Sequence, residues 1–161
     1  MQSDPSISHY SKPVVTYGLI SSASNSSGIS IVGIDPKEEE NITIIKKLMV
    51  EGEYLTDKKR DIVIGKKLSE KLDVGIGDKI VLMATNISGN VAADVFRVAG
   101  LYETSFSEFD RVTAYIDIGI AQEFLGITGK ISEFAIIVND VEKVETIKEM
   151  LATEHVRNPI Y

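Results

Sequence analysis

Two histidines are the side chains of this sequence best suited to bind a metal or to act as a general base. His9 lies in a polar amino-terminal segment and His155 lies near the other end, without the His-x-x-x-His or His-Glu-x-x-His spacing of a zinc site. The chain contains no cysteine, which excludes a thiolate nucleophile, an iron–sulfur cluster and a cysteine-ligated zinc ion. We therefore expect no bound metal.

The glycine-containing segments also fail the patterns of nucleotide-binding sites. In residues 126–130 (GITGK) the first glycine is misplaced for a phosphate-binding loop, and Ile131 occupies the position where Ser or Thr would bind magnesium. Gly75 and Gly77 lack the third glycine and the following helix of a dinucleotide fingerprint, so they indicate a tight turn. The sequence also has no Gly-x-Ser-x-Gly nucleophile elbow. We predict that the chain is not an enzyme and holds no cofactor.

One polar segment, residues 104–110 (TSFSEFD), places two aromatic residues between two predicted strands. Two interpretations stay open. The rings could be buried and anchor a loop, or they could be exposed beside carboxylates and form a partner-binding surface, since aromatic residues supply much of the binding energy at interfaces. The candidate partner or cargo surface consists of Phe106, Glu108, Phe109 and Asp110.

A basic cluster surrounds the segment 61–65. It is a solvated rim around a strand, or it contacts an anionic headgroup or partner. Its members are Lys58, Lys59, Arg60, Lys66, Lys67 and Lys71.

The strands that must position these residues are marked by β-branched runs. Residues 13–20 and 29–34 predict a hairpin whose tip is the serine-rich stretch Ser21–Gly28. Further strands are predicted at 61–65, 79–85, 95–102, 112–118 and 134–138.

Helices are predicted from capping residues and spaced apolar positions. Asp35 and Glu38 form a capping box, and Pro36 suits the first position of a helix over residues 36–50. A small helix carries Leu68 and Leu72 on one side. Two more helices are predicted, one capped by Asp117 and ended by Gly126, and one over residues 140–152 with Asn139 and Glu142 at its start.

The 161 residues, 43% of them apolar and 25% charged, have the length and composition of one globular domain, 1–161. A formal net charge of −7 disfavours a grip on nucleic-acid phosphates, so we expect no nucleic-acid partner.

The longest apolar runs are residues 80–84 and 134–138, whereas a membrane-spanning helix needs about 20 residues. We predict that no part of this chain crosses a bilayer. The first six residues also lack the basic and apolar regions of a signal peptide.

Seven short segments carry a family resemblance through their order and spacing. They are residues 32–36 (VGIDP), 51–55 (EGEYL), 62–68 (IVIGKKL), 74–80 (VGIGDKI), 96–104 (FRVAGLYET), 108–110 (EFD) and 121–122 (AQ). Together they resemble the extracytoplasmic domain of ABC transporter permeases of the MacB/FtsX superfamily, most closely the lipoprotein-releasing, LolC/LolE-like branch.

The resemblance implies an α+β fold of two lobes. A porter-like lobe would comprise residues 1–56 and 128–161, and a β-rich, sabre-like lobe would comprise residues 57–127. It also implies that the domain is inserted between two membrane helices of an integral membrane protein. This chain would then be a soluble fragment on the periplasmic face of the cytoplasmic membrane, with Tyr10 and Val156 at one end of the molecule.

The resemblance further implies partners and a function. The partners would be an ATP-binding subunit, a second permease subunit and a lipoprotein, peptide or other amphiphilic cargo that the transporter extracts or exports. An alternative is an FtsX-like signalling module that activates an extracytoplasmic cell-wall hydrolase. Hook-bearing relatives carry a long, proline-flanked protrusion where this chain has only Asn86–Asp94, so we do not expect recruitment of a carrier through a hook.

Overall fold

A ring of six strands forms the centre of the structure. The computed structural model describes residues 7–11, 13–39, 44–56, 60–127 and 135–138. The strands are β1 (Ile7–Ser11), β2 (Val14–Ser21), β3 (Ser26–Ile34), β4 (Met49–Gly52), β5 (Asp61–Gly65), β6 (Lys79–Thr85), β7 (Val91–Tyr102), β8 (Thr113–Asp117) and β9 (Ala135–Val138). The α-helices are α1 (Pro36–Glu39), α2 (Lys66–Leu72), α3 (Ser107–Val112) and α4 (Ile118–Leu125).

The ring closes because β7 is long enough to pair with strands on both of its edges. The hydrogen-bonded order is β4-β7-β5-β8-β3-β2-β6, and β6 pairs in turn with β7. The first half of β7, Val91–Arg97, pairs antiparallel with β6, and the second half, Arg97–Tyr102, pairs parallel with β5. β4 takes the edge that β6 leaves free. The result is a closed six-stranded barrel with β4 as an added strand.

A β-bulge in β7 lies just beyond this exchange of partners. The register between β5 and β7 shifts between Ile62 and Val63, which leaves Ala99 as an extra residue in β7. The backbones of β4 and β7 approach closely beside this bulge. A Cβ on Gly52 would lie 2.2 Å from the Ala99 carbonyl oxygen, and a Cβ on Gly100 would lie 2.2 Å from the Glu53 carbonyl oxygen. Only glycine fits at these two positions without a shift of the backbone.

The barrel interior is the main hydrophobic core. Alternate residues of the six strands point inward, as the period of a strand requires. Helices α2 and α4 complete the core with Leu68, Leu72, Ile120, Phe124 and Leu125. The largest fully buried strand residues of this core are Ile20, Ile31, Ile62, Ile64, Ile80, Leu82, Phe96 and Ile116.

A second cluster covers part of the outside of the barrel. Ile45 and Leu55, which flank β4, pack there with Ile34, Val63, Tyr102 and Tyr115. The Tyr102 hydroxyl donates a hydrogen bond of 3.0 Å to the Thr113 carbonyl oxygen, and burial raises the pKa of this phenol. Strands β5 and β8 are therefore buried on both faces.

The prediction of a helix over residues 36–50 is wrong for the carboxyl-terminal part of that range. Its start is confirmed, because the Asp35 carboxylate accepts hydrogen bonds from the Lys37 and Glu38 amides at 2.9 and 3.4 Å. However, residues 45–48 form a 3₁₀ helix, and residues 49–52 form β4 instead. Pairing with β7 outweighs the local helical pattern here. Residues 40–43 lie outside the described residues.

Most of the other predicted elements are confirmed, with altered bounds. The first hairpin has a shorter tip, because Ser26–Gly28 already belong to β3. Likewise β7 begins at Val91, four residues earlier than predicted, and only residues 86–90 separate it from β6. The cap of α4 is confirmed by a 3.2 Å hydrogen bond from the Ile120 amide to Asp117, and Gly126 ends the helix with a φ of 70°.

Both ends of the described chain meet in a separate two-stranded sheet. β1 pairs antiparallel with β9, so that Tyr10 lies opposite Ile136. The predicted helix 140–152, Val156 and His155 lie outside the described residues. The division into two lobes stays a prediction, and the seven-stranded sheet draws strands from both sides of residue 57. Among the helices described, none has the length and apolar character of a membrane span.

A close contact with β5 fixes the position of α3. A Cβ on Gly65 would lie only 1.9 Å from the carbonyl oxygen of Asp110 in α3, although the Gly65 backbone, with φ −66° and ψ 145°, suits any residue. Glycine is therefore needed at position 65 because a side chain would clash with α3, and not because of its backbone angles.

We predict that Gly65→Ala lowers the free energy of unfolding by about 1–3 kcal/mol, the usual cost of overpacking a core. The matched control is Gly28→Ala, because a Cβ there meets no atom within 4 Å. The control should change stability by less than about 0.5 kcal/mol. Urea unfolding of both variants checks this, and equal stabilities would contradict the close packing of α3 on β5.

Candidate functional site

The candidate surface is centred on an apolar stripe along α3. Phe109 and Val112 are three residues apart in α3 and therefore lie on one side of the helix, and Phe106 is the N-cap residue just before it. Phe106 is 75% exposed, Phe109 is 38% exposed and Val112 is also exposed. We call these three residues the α3 stripe. Several exposed apolar side chains within one short segment are typical of an interaction surface.

A buried carboxyl group holds the α3 stripe in place. Asp110 is only 1% exposed. Its oxygens accept hydrogen bonds from the Thr104 amide at 2.8 Å and from the Thr104 hydroxyl at 2.7 Å. The Thr104 hydroxyl oxygen in turn accepts a 3.0 Å hydrogen bond from the Phe106 amide. Asp110 thus does not reach the surface, contrary to the sequence prediction, and instead fastens the loop that presents Phe106.

The two aromatic rings differ in how they are held. The Phe109 ring lies against the buried Tyr102 ring, with centroids 6.1 Å apart and planes inclined by 55°. Phe109 is thus partly a loop anchor and partly exposed, so both interpretations of the sequence apply to it. Phe106, by contrast, is largely exposed, which does not fit the interpretation as a buried loop anchor.

Ion pairs lie around the α3 stripe. Glu108 and Arg111 of α3 are 3.2 Å apart. On neighbouring α2, Lys66 pairs with Glu103 at 3.4 Å and Lys67 pairs with Glu70 at 2.9 Å. The hydrogen bond to Glu70 raises the pKa of Lys67. Such exposed pairs contribute little to stability, but they surround the apolar stripe with a polar rim of balanced charge, which is the usual anatomy of a protein interface.

The basic cluster is a solvated rim in the part of the chain that the structure describes. Arg60 pairs with Asp94 and lies over the Phe96 ring, 5.9 Å from its centroid. Lys71 donates a hydrogen bond of 2.9 Å to the Ser27 hydroxyl. Lys66 and Lys67 form the ion pairs described above, while Lys58 and Lys59 lie outside the described residues. The described members thus point to contacts within the chain.

A cavity of about 650 Å³ opens where β3 and β8 end, and its walls include Asp35, Asp117 and Glu53. Asp35 and Asp117 are already engaged as helix caps. Within residues 7–11, 13–39, 44–56, 60–127 and 135–138, no group of three or more His, Asp or Glu side chains could hold a metal ion. His9 lies in β1, opposite Ile137.

The sequence pattern predicts no helix between the strands that flank residues 104–110, whereas the structure has α3 there. The three-residue spacing of Phe106, Phe109 and Val112 is the signal that could have found it. Helix α3 has only six residues, fewer than two turns, so its apolar spacing is too short to be distinguished from that of a loop.

Comparison with known proteins agrees with this architecture. The sequence matches the MacB-like periplasmic core domain family over residues 2–154. It is 25% identical over 107 residues to the lipoprotein-releasing system transmembrane protein LolC from two strains of Xylella fastidiosa, 9a5c and Temecula1, in each case covering 60% of this chain. The chain spans about a quarter of the length of these relatives, 26%.

Two solved structures share the fold. The extracellular domain of the ABC-type transporter YknZ from Gram-positive bacteria superposes with a TM-score of 0.69 at 15% identity, covering 96% of this chain and 79% of that one. The periplasmic region of MacB from Actinobacillus actinomycetemcomitans superposes with a TM-score of 0.66 at 14% identity, covering 96% and 70%. The predicted α+β fold is confirmed, and the chain belongs to the family of MacB-like periplasmic core domains, an extracytoplasmic domain of ABC transporter permeases.

Proposed function

We propose that this domain transmits movement in a lipoprotein-releasing or MacB-like ABC permease. ATP hydrolysis by a separate cytoplasmic subunit or domain would be coupled through it to the extraction or export of a lipoprotein, peptide or other amphiphile. In this proposal the domain is not itself an enzyme. It works on the periplasmic side of the cytoplasmic membrane, as part of an integral membrane protein that pairs with a second permease subunit.

The α3 stripe is the observation that carries this proposal. It offers apolar contact area within a rim of balanced charge, which suits an amphiphilic cargo or a protein partner better than a small ion. Glu108, on the same helix, is exposed beside the stripe. A surface that transmits force must also be attached rigidly to the rest of the domain. The hydrogen bond of Asp110 to Thr104 and the close packing of α3 on Gly65 attach the α3 stripe to the barrel.

The β6–β7 turn supports a transporter that works without a hook. The turn consists of residues 86–90, and the Asn86 side-chain oxygen accepts hydrogen bonds of 3.0 Å from the amides of Ser88 and Asn90. These bonds close the turn at the end of the paired strands. A carrier protein would then have to bind elsewhere, or not at all.

We predict that Phe106→Ala impairs export by the full transporter at least tenfold while the melting temperature of the domain changes by less than about 2 °C. Loss of an interface aromatic costs about 2 kcal/mol or more of binding, whereas an exposed ring contributes little to folding. Phe109→Ala should impair export and also lower stability, because its ring packs on Tyr102. An export assay and thermal unfolding measure the two effects.

The matched control is Ile87→Ala, an exposed apolar residue at the β6–β7 turn, which should leave export unchanged. Normal export by Phe106→Ala would contradict a role of the α3 stripe in transport. If export is normal but activation of a cell-wall hydrolase is lost, the FtsX-like alternative replaces transport.

A second prediction concerns the support of the stripe. Thr104→Val keeps the shape of the side chain but removes the hydroxyl that binds Asp110, so we expect a loss of about 1–3 kcal/mol in stability, the usual cost of a buried group left unsatisfied. Combining Thr104→Val with Asp110→Asn should cost less than the sum of the two single changes, because the two side chains share a bond. Urea unfolding of the three variants tests this, and strict additivity would contradict the proposed support.

A further inference from the structure

The first half of β7 has a strand along only one of its two edges. Strand β6 pairs with β7 from Val91 to Arg97, whereas β5 begins to pair with the other edge only at Arg97. Among the described residues, no strand therefore covers the second edge of residues 91–96. An uncovered strand edge presents unpaired backbone amides and carbonyls to its surroundings.

The strand register identifies the backbone groups that lie on this uncovered edge. In an antiparallel pair of strands, hydrogen-bonded and non-hydrogen-bonded residue pairs alternate. The Asn86 amide donates a hydrogen bond of 2.9 Å to the Asn90 carbonyl in the β6–β7 turn, so the next bonded pair is Ala84 with Ala92. The backbone bonds of the even-numbered residues of β7 therefore point toward β6, and the amides and carbonyls of the odd-numbered residues point away from it.

Two hydrogen bonds at the far end of this pairing agree with the assignment. The Arg97 amide donates to the Arg60 carbonyl at 2.9 Å, on the side away from β6. The Val98 amide donates to the Asp78 carbonyl at 2.9 Å, and Asp78 immediately precedes β6. Odd and even residues thus point to opposite edges along the whole first half of β7.

We define the Val91–Val95 edge as the backbone amides and carbonyls of residues 91, 93 and 95. The amides and carbonyls of Val91 and Ala93 have no hydrogen-bond partner in the part of the chain that the structure describes. The Val95 amide differs, because it donates to the carboxylate of the preceding Asp94 at 2.8 Å. Val91 is 73% exposed and Ala93 is also exposed, so another molecule can reach this edge.

An ion pair closes one end of the Val91–Val95 edge. The Asp94 side chain lies on the same side of the sheet as buried Phe96, and its two oxygens bind the Val95 amide and the Arg60 guanidinium. Inward-pointing charges are a common means of blocking further pairing at a strand edge. The edge is thus blocked at Val95 and open at Val91.

The chain that precedes β5 turns away from the Val91–Val95 edge. Arg60 has a left-handed backbone, with a φ of 73°, and this conformation interrupts an extended strand. Thr56 already lies in the wall of the cavity where β3 and β8 end. Strand β5 therefore begins at Asp61 and does not continue along residues 91–96.

The chemistry of the edge selects an extended peptide as its occupant. Its amides and carbonyls repeat at every second residue, about 7 Å apart, which is the spacing of the matching groups on another strand. An acyl chain has no group that pairs with them, and a small anion cannot bridge donors at that distance. Strand addition to an open edge is a general mode of peptide recognition.

A second copy of this chain fits the edge poorly. If the two edges paired antiparallel with Ala93 opposite Ala93, Gly89 of one copy would lie opposite Arg97 of the other. The Arg60 carbonyl already occupies that position. A short segment that ends or turns away near Asp94 avoids this clash.

We propose that the Val91–Val95 edge binds an extended peptide segment of another protein, which adds to β7 as a further strand. The inference rests on register, exposure and hydrogen bonds, and it does not depend on the proposed function of the α3 stripe. The small apolar side chains of Val91 and Ala93 favour β-branched residues at alternate positions of the segment. Two residues supply at most about four backbone hydrogen bonds, so we expect a dissociation constant of about 1 mM for a free peptide.

Hydrogen exchange of single amides, measured by NMR on the whole 161-residue chain, tests whether the edge is open. The Ala93 amide should exchange at least tenfold faster than the Ala92 amide, because only the latter bonds to β6. Ala92 is the matched control, since it is the same residue type at the next position. Equal protection of the two amides would show that the chain itself or a second copy covers the edge, and would overturn the proposal.

A synthetic peptide, acetyl-Lys-Val-Thr-Val-Thr-Val-Lys-amide, is the probe for strand addition. At about 5 mM it should slow the exchange of the Ala93 amide roughly fivefold. The control is the same peptide with every central amide N-methylated, which keeps the side chains but removes the donors, and it should have no effect. An equal effect of the two peptides would indicate apolar contact without strand addition and would contradict the proposal.

Proline substitutions test the same edge from the side of the protein. Ala93→Pro removes the donor that faces the edge and no bond to β6, so the melting temperature should change by less than about 3 °C while the probe no longer protects the Val91 amide. Ala92→Pro is the matched control and should lower the melting temperature by at least about 6 °C, because it removes a bond to β6. Equal destabilisation by the two prolines would overturn the assignment of the edge. The export assay of Phe106→Ala does not involve this edge, so the two proposals fail independently.

Discussion

The long strand β7 is the constraint on which the rest of the structure depends. Its twelve residues pair with β6 and β5, and with β4 beyond the bulge at Ala99. Pairing with β6 along its first half and with β5 along its second half closes the sheet, and the bulge bends the strand just beyond this exchange, where β4 pairs. Closure seals the apolar interior, and α2 and α4 complete it. The close approach at Gly52 and Gly100 then fixes β4, which in turn holds Ile45 and Leu55 over the outer face of β5 and β8.

Closure also leaves the barrel with two unlike outer faces. One face is covered by the second hydrophobic cluster around Tyr102 and Tyr115, and α3 lies beside it through the contact of Phe109 with Tyr102. In the part of the chain that the structure describes, the other face, on β2, β6 and β7, is bare and carries the exposed side chains of Tyr17, Leu19, Val91 and Val95. A closed and well-packed barrel moves as one body, since its ring of paired strands is complete. Such a unit is suited to hold the α3 stripe in a fixed position.

The candidate sites on this domain are surfaces, and their chemistry is that of contact. Several carboxylates of the described residues serve as helix caps, as partners of lysine and arginine, or, in Asp110, as the support of a loop. Exposed aromatic and aliphatic side chains are groups that the described residues leave uncovered. Their value lies in burial against another molecule, which is the main source of affinity when no charge or metal dominates.

Local signals in the sequence determined much of this protein. Asp35 and Asp117 cap helices because a short carboxylate can bond the amides two or three residues ahead, whatever lies elsewhere in the chain. The first hairpin, β5, β6 and α2 follow from apolar periodicity, and the ordered motifs were sufficient to identify the family. Tertiary structure decided the rest. Residues 49–52 became a strand because β7 offered an open edge, and Asp110 became buried because Gly65 lets α3 approach β5. Barrel closure, the bare face and the exposure of Phe106 depend on pairings between residues far apart in sequence, which local patterns do not encode.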